Sequence, residues 1–117
     1  MRQLKLEFDE IPPGLNEVIH LCSGHWGNYS KVKAYWKELV RLKTLRSPKF
    51  KTVDIEVTLT FPTRAKHDKD NFYACYKFLL DGLCCIEDDN CDVVQNIKLN
   101  FAYEKGVKKT EVIIKGE

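Results

Sequence analysis

The sequence predicts an α+β fold in which a mixed sheet packs against helices, in the order β-α-β-α-β-β. Three observations lead to this class: segments of apolar–polar alternation, two segments of helical periodicity between them, and a turn signal before the last alternating segment. The chain has 117 residues, of which 44% are hydrophobic and 31% are charged. That size and composition predict one globular domain spanning residues 1–117.

The strands are predicted from alternation. Residues 4–8 alternate, and residues 53–61 do so most clearly, with an apolar side chain at every odd position. A third strand is predicted over residues 93–103. The turn signal Glu104-Lys105-Gly106 then predicts that residues 110–115 pair back on the third strand as a hairpin.

The helices are predicted from periodicity and capping. Residues 12–14, Pro-Pro-Gly, end the first strand region, and a loop is predicted to follow and to continue through residues 20–28. Ser30 is expected to be the N-cap of a helix over residues 31–45. A second helix is predicted from residue 70 or 71 to residue 83.

The cysteines do not form the pattern of a disulfide framework. There are five, two of them adjacent, and no C-x-x-C occurs. No apolar run approaches the roughly 20 residues of a membrane span, and no signal-peptide block follows the first residues. We therefore expect a cytoplasmic protein with no membrane partner and with reduced, buried thiols. The alternative is a zinc site whose candidate ligands are His20, Cys22 and His25, completed by Cys84, Cys85 or Cys91.

Two acidic motifs carry the predicted chemistry. Asp68-Lys69-Asp70-Asn71 follows the second predicted strand, and Asp88-Asp89 follows the second predicted helix. Carboxylates repel one another unless a cation holds them, and hard oxygen ligands suit Mg²⁺, or Mn²⁺, better than zinc. The path from a strand exit through a helix to the next strand entrance is expected to bring three carboxylates together at one sheet edge. The competing interpretation is that these acids are ordinary loop and helix-capping residues.

Basic residues surround the first acidic motif and recur every four residues on the first predicted helix. A basic stripe is usually only a solvated surface, but this one has a single acidic neighbour, Glu38, which favours contact with phosphates. The net charge of +2 does not by itself indicate nucleic acid. The candidate DNA-binding residues are Arg64, Lys66, Lys69, Asn71, Lys33, Lys37 and Arg41.

At these residues the sequence resembles the RusA-type Holliday junction resolvases, small homodimeric endonucleases of bacteria and their prophages. The family pattern is a basic run, then D-x-D-N opening a helix, then a D-D pair before a strand. The early Pro12-Pro13-Gly14-Leu15-Asn16 is similar to the proline turn and nearby asparagine of that family. The resemblance implies a homodimer that hydrolyses phosphodiesters of four-way junctions or related branched DNA, in recombination and repair.

The resemblance also implies roles for individual residues. One departure is Ala74, which stands where the family tends to have a functional lysine one helical turn after the second acid. Lys77 or Lys69 is the candidate substitute. Because of this departure, the alternative function is a noncatalytic DNA-binding module that keeps the fold but has lost turnover. The catalytic acids that bind one or two Mg²⁺ ions would be Asp68, Asp70 and Asp89, with Asp88 as a lesser contributor.

Overall fold

The computed structural model describes residues 2–24, 26–64, 69–86 and 92–117, and for Trp26, Lys69 and Asp70 it describes the backbone alone. The α+β class with a mixed sheet is confirmed. Contacts divide the chain into two compact units, a sheet unit (described residues of 1–11, 48–66 and 85–117) and a helical unit (described residues of 12–47 and 67–84). The elements are β1 (Arg2–Phe8), α1 (Leu15–Ser23), α2 (Trp26–Thr44), β2 (Val53–Phe61), α3 (Lys69–Phe72), α4 (Cys75–Leu80), β3 (Val94–Tyr103) and β4 (Lys109–Gly116).

The sheet unit has the strand order β1-β4-β2-β3. β4 is antiparallel to both β1 and β2, whereas β2 and β3 are parallel. The predicted bounds of β2 are confirmed, because its odd-numbered residues point to one buried face. Ile55 pairs with Ile114 and Val57 with Val112, and these four side chains are at most 3% exposed. The centre of the sheet is therefore made by strands that are about 50 residues apart in sequence.

The predicted hairpin between the last two strands is wrong. β4 lies between β1 and β2, so the chain leaving β3 crosses the end of β2 before it enters the sheet. Along this crossing the amides of Glu104 and Gly106 donate hydrogen bonds to the carbonyls of Phe61 and Pro62, at 3.1 and 3.4 Å. Gly106 has a φ of 74°, which glycine adopts without steric cost. The turn signal thus marks a reversal of the chain, but the reversal passes over the end of β2 and leads to β4 on the far side of that strand.

The predicted loop over residues 20–28 is also wrong where the structure describes it. α1 ends at Ser23 and α2 begins at Trp26, so Ser30 lies inside α2 and is not an N-cap. Gly24 ends α1, and its amide donates to the carbonyl of His20 at 3.2 Å. Gly27 is instead part of the first turn of α2. Two nearby glycines indicated a loop in the sequence, yet one of them ends a helix and the other lies within one.

The helical unit is held together where the end of α4 approaches α2. A Cβ added at Gly82 would lie 2.6 Å from the carbonyl oxygen of Lys37 and 2.7 Å from the Cβ of Val40, so only glycine fits there. Thr44, which is fully buried, donates through Oγ1 to the carbonyl of Val40 at 3.0 Å. The same oxygen accepts the amide of Cys84 at 3.0 Å. This contact satisfies two backbone groups at once.

The second predicted helix is two short helices, because regular structure is interrupted at Tyr73 and Ala74 and ends at Leu80. Four side chains of this segment, Phe72, Cys75, Tyr76 and Leu79, are buried. Among the described residues, no helix has the length and apolar character that crossing a membrane requires.

Candidate functional site

The two separated sequence features of the resemblance meet in the helical unit. Asn71, in α3, accepts a hydrogen bond at Oδ1 from the backbone amide of Asn16 at 2.7 Å. Asn16 lies in the first turn of α1, where amides have no partner within the helix, and the N-cap residue Gly14 has no side chain to offer one. Asn71 therefore caps α1 from 55 positions further along the chain.

The proline turn packs tightly on the segment that contains Asn71. A Cβ added at Gly14 would lie 2.6 Å from Nδ2 of Asn71 and 3.1 Å from its carbonyl oxygen. The thiol of Cys75 donates to the carbonyl of Pro12 at 3.2 Å. Burial raises the pKa of the Cys75 thiol to about 12, so this thiol stays neutral and serves the packing of the turn, not nucleophilic chemistry.

Two of the candidate cations lie close to one carboxylate, Asp81, which is not among the predicted site residues. Nζ of Lys33, on α2, lies 3.9 Å from Oδ2 of Asp81, and Nζ of Lys77, on α4, lies 3.6 Å from Oδ1. The i,i+4 spacing of Lys77 and Asp81 was the available signal. The cluster holds two cations and one anion, so it keeps a net positive charge.

The basic stripe of α2 is weaker at its end than the sequence suggested. Arg41 donates two hydrogen bonds to the Glu38 carboxylate, at 2.9 Å from Nε and 2.5 Å from Nη2. These hydrogen bonds hold the pKa of the Glu38 carboxyl below its usual value. Lys37, between Lys33 and the Arg41–Glu38 pair in the sequence, is exposed. Arg41 is therefore neutralised by Glu38, and the stripe keeps the charges of Lys37 and of Lys33, which shares Asp81 with Lys77.

In the sheet unit, the candidate DNA-binding residue Arg64 stacks on an aromatic ring. Its guanidinium carbon lies 4.7 Å from the centroid of the Tyr103 ring, a cation–π contact at the ends of β2 and β3. Both side chains are exposed, so the stacked pair presents a positive charge and a π face to solvent.

Most of the predicted acidic ligands lie outside the described residues. This applies to Asp68, Asp88 and Asp89, and to the candidate DNA-binding Lys66. The backbone of Lys69 and Asp70 is described and is helical, as expected for a motif that opens a helix. Within the described ranges, no three His, Cys, Asp or Glu side chains are close enough together to hold a metal ion.

The thiols and the zinc alternative are only partly described. Cys75 and Cys85 are fully buried, as predicted, whereas Cys22 is exposed, so burial is not general. His25 and Cys91, two candidate zinc ligands, lie outside the described residues. The zinc site therefore stays a hypothesis.

The register of the sheet shows where the end of β2 lies relative to the start of β3. Phe61, the last residue of β2, is opposite Tyr103, while Val94, the first residue of β3, is opposite Val53. The exit of β2 and the entrance of β3 therefore lie at opposite ends of the sheet, about 30 Å apart for a strand of this length. Asp68 and Asp89, which were predicted to converge at one sheet edge, lie outside the described residues, so their convergence stays a prediction.

Comparison with known proteins finds no match to a family model and none to a curated protein.

Proposed function

We propose that this protein is a Mg²⁺-dependent endonuclease of RusA type that works as a homodimer in the cytoplasm. Its substrate is a four-way junction or related branched DNA, and its reaction is phosphodiester hydrolysis in recombination and repair. The observation that carries the proposal is the 2.7 Å hydrogen bond between Asn16 and Asn71. This bond brings together the two motifs of the resemblance, which are 55 positions apart in the sequence, next to Asp70 in the chain.

The proposed ligands of Mg²⁺, or Mn²⁺, are Asp68, Asp70 and Asp89, with Asp88 beside them. Carboxylate oxygens are the donors that these ions prefer, so the donor set fits. The bound ion would supply Lewis-acid activation of water and phosphate. The chain contributes a fixed backbone at Asp70, because the next residue is tied to the first turn of α1.

The proposed DNA contacts are electrostatic and follow the phosphate backbone. Lys33 and Lys77 share Asp81, so an incoming phosphate would replace that carboxylate as their partner. Lys69 and Lys77 are the candidates for neutralising charge that develops on the scissile phosphate. Because such contacts release counterions, the affinity for DNA is expected to fall steeply with salt.

The decisive experiment is cleavage of a synthetic four-way junction during Mg²⁺ titration. Asp70→Asn removes one ligand charge and is expected to abolish cleavage while circular dichroism and junction binding are retained. Asp9→Asn, an exposed acid in the sheet unit, is the matched control and is expected to cleave as the wild type does. Full activity of Asp70→Asn would contradict the proposed metal ligands.

The noncatalytic DNA-binding module is the second candidate, and one observation favours it. The lysine position of the family is occupied by Ala74, and the substitute Lys77 is held by Asp81 at 3.6 Å. Binding of the junction by the wild type without cleavage at any Mg²⁺ or Mn²⁺ concentration would select this function. Cleavage that requires the metal would select the endonuclease.

A further inference from the structure

β1 lies at one edge of the sheet. In the part of the chain that the structure describes, its ladder pairs with β4 alone, so its other side has no strand beside it. An open edge presents backbone N–H and C=O groups that can pair with another strand. β3 forms the other edge, and Lys98 is its single charged residue.

The exposed face of β1 carries one charge of each sign. Lys5 and Glu7 are exposed, and Nζ of Lys5 lies 3.2 Å from Oε1 of Glu7. Glu7 lies directly opposite Glu111 of β4, and Lys5 and Lys109 lie 3.5 and 3.0 Å from Glu111. Nζ of Lys109 also lies 3.9 Å from Oε1 of Glu7, so the two lysines offset the repulsion between Glu7 and Glu111.

The register of a possible strand pairing is restricted by side-chain alternation. In an antiparallel pair of two β1 strands, odd residues must face odd residues if the apolar faces are to stay on one side. A pairing centred on Lys5 would place Lys5 opposite Lys5, and one centred on Glu7 would place Glu7 opposite Glu7. A pairing centred on Leu6 places Lys5 opposite Glu7 twice and Leu4 opposite Phe8. That register alone among the three has complementary charges.

We propose that β1 pairs antiparallel with β1 of a second copy of this chain, on a two-fold axis through Leu6. The occupant is a second copy because the complementary charges, Lys5 and Glu7, are both supplied by β1 itself. β3, with its one lysine, would meet a like charge or none in a pairing with itself. This inference deepens the proposed function, since it rests on the homodimer named there and assigns its contact surface.

The test is a charge exchange, read out by sedimentation velocity over a concentration series. Lys5→Glu and Glu7→Lys each create two like-charged pairs per dimer, so each is expected to weaken the dimer by at least about tenfold. An equimolar mixture of the two variants is expected to form a heterodimer, because each copy then presents a single sign of charge at both positions. Lys98→Glu, on β3, is the matched control and is expected to leave the dimer unchanged.

The mixing step separates this interface from a change in folding. Each variant also loses ion pairs within its own chain, but mixing does not restore those, so recovery of the dimer on mixing reports contact between copies. A monomeric wild type, a dimer unaffected by Lys5→Glu, or variants that fail to associate on mixing would each overturn the proposal. The two proposals can fail separately. If the variants behave as expected but the wild-type dimer does not cleave a junction, the endonuclease is rejected and the β1 interface is kept.

Discussion

The cap that Asn71 provides to α1 can be tested by removing and restoring one acceptor atom. Asn71→Ala deletes the oxygen that lies 2.7 Å from the Asn16 amide and leaves that amide without its partner. Losing a capping acceptor costs about 1–2 kcal/mol of unfolding free energy. Asn71→Asp keeps an acceptor and adds a negative charge at the N-terminus of α1. Its stability at pH 7 is therefore expected within about 0.5 kcal/mol of the wild type, or above it.

The measurement is urea unfolding at pH 7, followed by circular dichroism and supported by thermal melts. For a chain of this size, a loss of about 1–2 kcal/mol corresponds to a fall in Tm of about 4–8 °C. The slope of the urea transition is expected to stay constant, because the buried area hardly changes. If Asn71→Ala unfolds at the wild-type urea concentration, or if Asn71→Asp is as unstable as Asn71→Ala, the capping role is refuted.

A double-mutant cycle with Gly14 tests the packing of Asn71 on the proline turn without relying on the hydrogen bond from the Asn16 amide. Gly14→Ala places a Cβ 2.6 Å from Nδ2 of Asn71 and must displace that side chain, which is expected to cost about 1–3 kcal/mol. In the Asn71→Ala background the obstructing amide is gone, so Gly14→Ala should cost at least about 0.5 kcal/mol less. Strict additivity of the two changes would show that Gly14 and Asn71 do not act through one contact.

Three further predictions follow from contacts in the helical unit. Asp81→Asn removes the carboxylate shared by two lysines, so the affinity for DNA at low salt should rise and its salt dependence should steepen, as measured by fluorescence anisotropy. Thr44→Val leaves the Cys84 amide without an acceptor and should cost about 1–3 kcal/mol in urea unfolding, whereas Thr44→Ser should restore most of it. Because the pKa of Cys75 is raised from 9.0 to about 12, its neutral thiol stabilises the folded state fully below pH 9.0, and this contribution is lost as the pH rises towards 12. Wild type should therefore lose more stability than Cys75→Ala over that pH range.

The sequence predicted the local structure of the sheet better than its connections. β2 alternates without a break and is followed by proline, so its bounds were readable. The place of β4 was not, because Glu104-Lys105-Gly106 indicates where the chain reverses but not which strand it then joins. That choice depends on how the apolar side chains of β4, Val112 and Ile114, pair with those of β2, a contact between distant residues.

The candidate site was predictable as a set of residue types and not as a geometry. Asp70 and Asn71 at a helix start follow from local sequence, and the helical backbone there agrees. The bond from Asn16 to Asn71 joins residues 55 positions apart, and no periodicity encodes it. The pairing of Lys77 with Asp81 had a local signal in the i,i+4 spacing, but the approach of Lys33 to the same carboxylate depends on how two helices pack.

The central place of β4 has a consequence for how this protein is made. Arg2 pairs with Gly116, so β1 has no neighbouring strand in this sheet until β4 has been synthesised more than 100 residues later. Pairings between such distant residues slow folding and lengthen the time during which apolar strands stay uncovered. β1 is thus most exposed to aggregation before β4 emerges, and a chaperone that shields it until then is expected to raise the yield of folded protein.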